Sequence, residues 1–288
     1  VSVPRRLFAS DVDGCLIDES TQEWSTARDA LEAIRGEKAL LVLCSSKTRA
    51  EIEPLVADIG LRCPFVVENG GALVIPEGSL PGRVPGAVRV EGAEVLVYGV
   101  AREVLVRELH GIAARTGAEL RGFSDLAPWE LERLTGLGLQ AARRAQDRSY
   151  DEPFLLAPGS RARLSDIARA AQRRGLRVSQ GGRFLHLTGL ADKGYALGRL
   201  LGLYSFYSVT PRTVGLGDAE NDIGLLQNVE RPILVPRFRG GPDPVLRVHF
   251  PGAEVAPEAG PRGWNRAVLT VLQGGALPTL GALEGQRA

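Results

Sequence analysis

The sequence predicts an α/β fold: a Rossmann-like parallel-sheet core interrupted by an inserted α+β cap. Three observations lead there. Short apolar runs alternate with amphipathic helical stretches early in the chain, the rhythm lapses through the middle, and it returns before the end. With 288 residues the chain is long for one simple domain, yet short enough for a core with one sizeable insertion.

The first strand is read in "RLFAS", which runs straight into the polar "DVDG". A helix follows in "STARDALEAIRG" and closes at Gly36; a strand in "ALLVLCS" leads to a second helix, "TRAEIEPLVADIG", closed by Gly60. The run "PFVVENGGALVI" contains a Gly-rich turn, and the Pro/Gly-rich "PEGSLPGRVPG" beyond Pro76 reads as a linker. The core is therefore assigned to residues 1–86 and 188–288, and the cap to 87–187. Within the cap we expect a hairpin in "AVRVEGAEVLVYG", a helix over 101–116, a helix pair in "PWELERLTGLGLQAARRAQDR" and two later strands. The parallel rhythm resumes through "ADKGYALGRLLG", "RTVGLGDAENDIGLLQNV" and "RPILVP" to a helix near "GWNRAVLTVL". From Gly274 onward the small residues predict a frayed tail.

Composition narrows the partners. A net charge of +1 gives no single-sign field, so neither nucleic acid nor an anionic membrane is expected, and a small molecule is. No apolar run approaches the ~18 residues of a membrane span, and "VSVPRRLF" lacks a signal-like apolar region; a cytoplasmic enzyme, monomer or homodimer, is the expectation. Cys15, Cys44 and Cys63 are odd in number and lack CxxC spacing, which argues for reduced thiols rather than a disulfide framework or a zinc site.

Four polar clusters stand where apolar runs stop: Asp11 with Asp13, Ser45 with Ser46, Lys193, and Asp218 with Asn221 and Asp222. Ligands of an open parallel sheet gather at the carboxyl ends of its strands. Two carboxylates as close as Asp11 and Asp13 repel each other, so a cation is expected between them. Hard oxygen donors suit Mg²⁺, with Asp11 and Asp218 as ligands, Asp13 offering its main-chain carbonyl, and Asp222 in the same acidic set. Asp11 is then placed to attack phosphorus and Asp13 to serve as general acid and base. Ser45, Ser46, Lys193 and Asn221 are assigned to the phosphoryl oxygens, whose charge must be compensated during transfer. Only Lys38, Lys47 and Lys193 are lysines in a chain otherwise reliant on arginine, and a compact ammonium at 193 fits a confined site.

Together "DVDG", "LCSSKTR", "ADKG" and "GDAEND" resemble the four motifs of the haloacid dehalogenase superfamily of phosphatases: DxDG[TV], a Ser or Thr after the second strand, a Lys, and GDxxND. Cys15 stands where that superfamily usually has Thr. The resemblance implies a phosphoaspartyl intermediate on Asp11 and a cap that closes over the site. Further stretches, "SSKTRAEIE", "FVVENGGAL", "RGFSDL", "GGRFLHL" and "GPRGWNRAVL" among them, resemble a branch of the superfamily acting on sugar-linked phosphoglycerates. That implies a phosphorylated sugar-glycerate substrate, with another sugar phosphate, or a phosphomutase reaction, as alternatives. Such a substrate carries a carboxylate and a phosphate, so basic and hydroxyl-binding groups are expected in the cap. Arg183 and His186 in "RFLHL" are candidates, as is Lys47 beside the second motif. Arg148 and Glu152, with Asp151, serve either the substrate or a surface ion-pair network.

Overall fold

A computed structural model describes residues 5–160, 162–181, 184–237 and 241–285. Its first six strands are β1 (Arg6–Ser10), β2 (Leu40–Cys44), β3 (Phe65–Val67), β4 (Ala72–Pro76), β5 (Val88–Val90) and β6 (Ala93–Val97). The middle of the chain adds β7 (Leu120–Gly122), β8 (Asp151–Leu156), β9 (Arg177–Gly181) and β10 (Phe184–Thr188). The last three are β11 (Arg212–Gly217), β12 (Arg231–Leu234) and β13 (Glu254–Val255).

Among the described residues the core sheet has nine strands in the order β13-β12-β11-β1-β2-β3-β4-β6-β5. It is parallel from β13 to β3 and antiparallel beyond. Successive side chains alternate between its faces, as a strand period of two requires. Phe8 and Leu43 pack under Leu31, Ile34 and Trp264, while Leu7 and Val42 pack under Leu197, Leu200 and Leu225. Helices cover both faces, which is why these strands read as nearly continuous apolar runs.

Local chemistry fixes the helix ends. Thr48 and Glu51 form a reciprocal capping box at the start of the helix Arg49–Ile59, which stops at Gly60 in the left-handed region (φ 65°). Asp192 caps the helix Lys193–Phe206 by accepting from the Tyr195 amide at 2.8 Å, and so places Lys193 in the first turn.

Two expectations are corrected. The hairpin of β5 and β6, assigned by sequence to the cap, extends the core sheet through the pairing of β6 with β4. An alternating pattern fits the edge of either sheet, and tertiary pairing decides between them. The inserted unit therefore begins after β6. The described residues beyond Gly274, up to 285, also remain packed: Leu277 and Leu280 are buried, the Leu277 amide donates to Glu254, and Leu280–Gly285 forms a helix.

The cap is an antiparallel sheet in the order β7-β8-β10-β9. The helices Arg102–Thr116 and Leu164–Gln172 bury Leu109, Ile112 and Ile167 against Phe154 and Leu187. The helices Pro128–Thr135 and Leu139–Gln146 form a smaller cluster around Phe123, Leu131 and Ala145, with Phe184 against it. The packing is close where core and cap are joined and in the core beside that seam. A Cβ on Gly70 would overlap the main chain of Asp192, and one on Gly71 or Gly99 would run into Tyr150.

Candidate active site

Asp11 follows β1 directly, held by its amide donating to the Leu216 carbonyl of neighbouring β11 (2.9 Å). Gly14 turns the chain behind it at φ 76°. Lys193 is almost wholly buried, and its Nζ bridges Asp11 Oδ1 (2.6 Å) and Asp222 Oδ1 (2.7 Å). The other Asp222 oxygen accepts from the Asp218 and Ala219 amides at 3.0 and 3.1 Å, which folds "GDAEND" back and turns Asp218 toward Asp11. Both Asp222 oxygens are thus committed to the protein. This corrects its expected place as a metal ligand: it supports the site from behind.

Charge in this cluster is unbalanced. Burial, reinforced by Asp222 and Asp218, pushes the Asp11 carboxyl well up despite its contact with Lys193. Burial and Asp222 push Asp218 up to about 7, although Arg237 Nε lies 3.2 Å from its Oδ2. Burial works against the charge on Lys193, but Asp11 and Asp222 hold it above the usual lysine range. One ammonium serves two carboxylates while a third stands beside them. One oxygen each of Asp11 and Asp218, together with Cys15 Sγ, lie within 4.8 Å of one another. Two hard oxygen donors with surplus negative charge fit Mg²⁺; the Cys15 thiol, pushed up by burial and by Asp218, is a neutral, soft neighbour.

Asp13 is half-buried on the other side of the turn. Its Oδ1 lies 3.1 Å from Lys47 Nζ and accepts from Gln22 Nε2 at 3.2 Å. Burial works against the Lys47 charge, yet Asp13 and Glu51 hold it above the usual range. Ser45 is buried, its Oγ accepting from the Lys47 amide at 3.0 Å, and the Ser46 carbonyl accepts twice from Arg148 at 3.1 Å.

One cleft between core and cap gathers most of the residues predicted from sequence. Asp11, Asp13, Ser46, Lys47, Asp218 and Asn221 line its floor, and Arg148 and His186 line its cap side. Ser45, Lys193 and Asp222 lie behind that floor. Glu152 is not brought there: it is buried, paired with Arg102 at 2.7 Å and accepting from the Ser124 amide at 2.7 Å, which makes it a cap-internal support and corrects its assignment to the substrate. Arg183 lies outside the described residues. Sequence reasoning missed Asn69, whose Nδ2 donates to Asp151 (3.0 Å) and whose Oδ1 accepts from Asn221 (3.1 Å). It also missed Gln22, Arg237 and the edge-to-face pair Phe123 and Phe184 on the cleft wall. The doubled Gly after Asn69 was the available signal for a turn at this place.

Residues 8–80 match the family model described as haloacid dehalogenase-like hydrolase. The chain is 33% identical over 271 residues to a glucosyl-3-phosphoglycerate/mannosyl-3-phosphoglycerate phosphatase of Methanococcoides burtonii, covering 93% of this chain and 97% of that one. It is 32% identical over 234 residues to a mannosyl-3-phosphoglycerate phosphatase of Pyrococcus furiosus, covering 81% and 92%. The fold resembles the sucrose-phosphatase of Synechocystis, solved with sucrose and phosphate, at a TM-score of 0.60 and 15% identity over 92% of this chain and 97% of that one. The chain belongs to the haloacid dehalogenase-like hydrolase family. Within that family it is a phosphatase, a hydrolase of phosphoric monoesters. Among the described residues no helix is long and apolar enough to cross a membrane.

Proposed function

We propose that the protein hydrolyses mannosyl-3-phosphoglycerate to mannosylglycerate and phosphate through a phosphoaspartate on Asp11, with Mg²⁺ as cofactor. The observation that carries the reading is Asp11 at the floor of the cleft, one oxygen pinned by Lys193, beneath a cap wall that combines the Arg148 guanidinium with an aromatic face. Because Lys193 engages Oδ1, Oδ2 is the oxygen left to attack phosphorus. As the bond from phosphorus to the glycerate oxygen breaks, Asp13 delivers a proton to that oxygen. A water molecule then attacks the phosphoaspartate, Asp13 takes its proton, and the bond from Asp11 to phosphorus breaks. Lys47 and Gln22 hold one oxygen of Asp13, which leaves the other for these transfers. Asp11 and Asp218, with the Asp13 main-chain carbonyl, would hold Mg²⁺, which draws charge from the phosphoryl oxygens when bound.

The cap supplies the rest of the substrate's needs. Phe123 and Phe184 offer an apolar face to a sugar ring, and Arg148 and His186 offer polar groups beside it. The Methanococcoides relative is named for both sugars, so glucosyl-3-phosphoglycerate is the second reading. Phosphate release from the mannosyl and glucosyl compounds, 3-phosphoglycerate and p-nitrophenyl phosphate tests the proposal. A kcat/KM for the mannosyl compound no higher than for 3-phosphoglycerate would overturn it.

A further inference from the structure

The catalytic steps leave one buried carboxylate unused. Asp151, the first residue of β8, is wholly buried. Its Oδ2 faces His186 Nδ1 at 2.8 Å and accepts from Asn69 Nδ2 at 3.0 Å and Arg148 Nη1 at 3.2 Å. Its Oδ1 has no partner among the described residues. A buried charge is costly unless paired, and here the Arg148 guanidinium and the His186 imidazole converge on it. Burial alone would raise Asp151, but His186 and Arg148 hold it below the usual carboxylate range. An ionised carboxylate only accepts, so the hydrogen of the 2.8 Å contact sits on His186 Nδ1. The other ring nitrogen lies on the side of Gly181 and Asn221: a Cβ on Gly181 would meet His186 Nε2 at 3.1 Å and Asn221 Nδ2 at 3.6 Å. His186, Gly181 and Asn221 all line the cleft.

We propose that Asp151 is a positioning residue that fixes His186 as its Nδ1–H tautomer, so that Nε2 presents a lone pair to the cleft and accepts a hydrogen bond from a sugar hydroxyl. The inference rests on the sugar-phosphate reading above for its ligand, and on the Asp151 contacts alone for its tautomer. The same carboxylate steers Arg148, whose guanidinium lies 5.7 Å from the centre of the Phe123 ring. Asn69 extends the arrangement into the core: it donates to Asp151 and accepts from Asn221, in the loop that carries Asp218.

Nitrogen-15 NMR of the full-length wild type in Mg²⁺ buffer at neutral pH reads the tautomer directly. The chain has three histidines, and His186→Gln assigns the relevant signals by removing them. A proton on Nδ1 and none on Nε2 is expected; a protonated Nε2 would overturn the proposal whatever the substrate. Kinetics supply the second arm. In Asp151→Asn the amide NH₂ can donate to Nδ1 and drive the proton to Nε2, the wrong tautomer for an acceptor. KM for mannosyl-3-phosphoglycerate should rise about 10-fold, while kcat and p-nitrophenyl phosphate turnover stay within about threefold. An equal loss on both substrates would make Asp151 a support of the core chemistry and overturn its role in recognition. If the wild type does not hydrolyse the sugar compound, the functional reading falls, and the NMR result still decides the tautomer.

Discussion

Asp11 and Asp151 are both buried aspartates, each in contact with a basic side chain, and their carboxyls are driven in opposite directions. Burial raises both. What differs is the company. Asp151 meets Arg148 and His186 with no second carboxylate in hydrogen-bond contact, whereas Asp11 shares Lys193 with Asp222 and stands near Asp218. The seam between core and cap is electrostatically settled, while the acidic floor of the cleft is short of positive charge. A floor of that kind lowers its free energy by taking up a cation, and a settled seam does not.

The largest test of this contrast is Asp11→Asn. Phosphate release should fall by more than about 10⁴-fold, since the proposed nucleophile is gone. The same change removes negative charge from the crowded floor, so Tm in EDTA should rise; a fall would break the comparison. Asp151→Asn should do the reverse to stability, costing about 3 kcal/mol in urea unfolding because it strips the counter-charge from buried Arg148. An unchanged midpoint there would mean that the seam is not held by charge.

A subtler test uses pH. Asp218 is pushed up to about 7 from an ordinary 3.8, so the folded metal-free protein binds more protons than the unfolded chain between those values. Its stability should fall as pH rises through that window, and Mg²⁺ should raise Tm more at pH 7.5 than at pH 5. An equal Mg²⁺ shift at both values would sink the proposed link between the cation and this carboxyl. The smallest effect is expected at Glu68, which accepts from the Ser149 and Tyr150 amides at the entrance to β8. Glu68→Gln keeps an acceptor and loses a charge, and should cost ~1 kcal/mol in the same unfolding measurement.

The acidic floor of the cleft was legible in the sequence because its chemistry is local. Acidic and basic residues placed where apolar runs stop need only a parallel sheet to bring them together, and Asp11, Lys193 and Asp218 do meet. The seam was far less legible. Asn69 is an ordinary turn residue until Asp151 and Asn221, 82 and 152 positions away, close on it. Glu152 and Asp151 are neighbours with identical sequence credentials, yet strand alternation sends one to Arg102 and the other to His186. The β5–β6 hairpin went to the wrong domain for a related reason: its pattern names a buried face without naming the strand it pairs with.

The glycines at the seam carry a consequence for how this chain can vary. Gly70, Gly71 and Gly99 contribute no functional group, but each abuts Asp192 or Tyr150 so closely that even a methyl has no place to go. In a library of single substitutions selected for turnover, these three positions should be as barren as the charged motifs. Gly36, Gly138 and Gly252, which face open space and do not need the left-handed region, lack that barrier. Gly71 and Gly99, both against Tyr150 of the cap, would pick out the line along which core and cap are joined, and Gly70 a close contact within the core beside it.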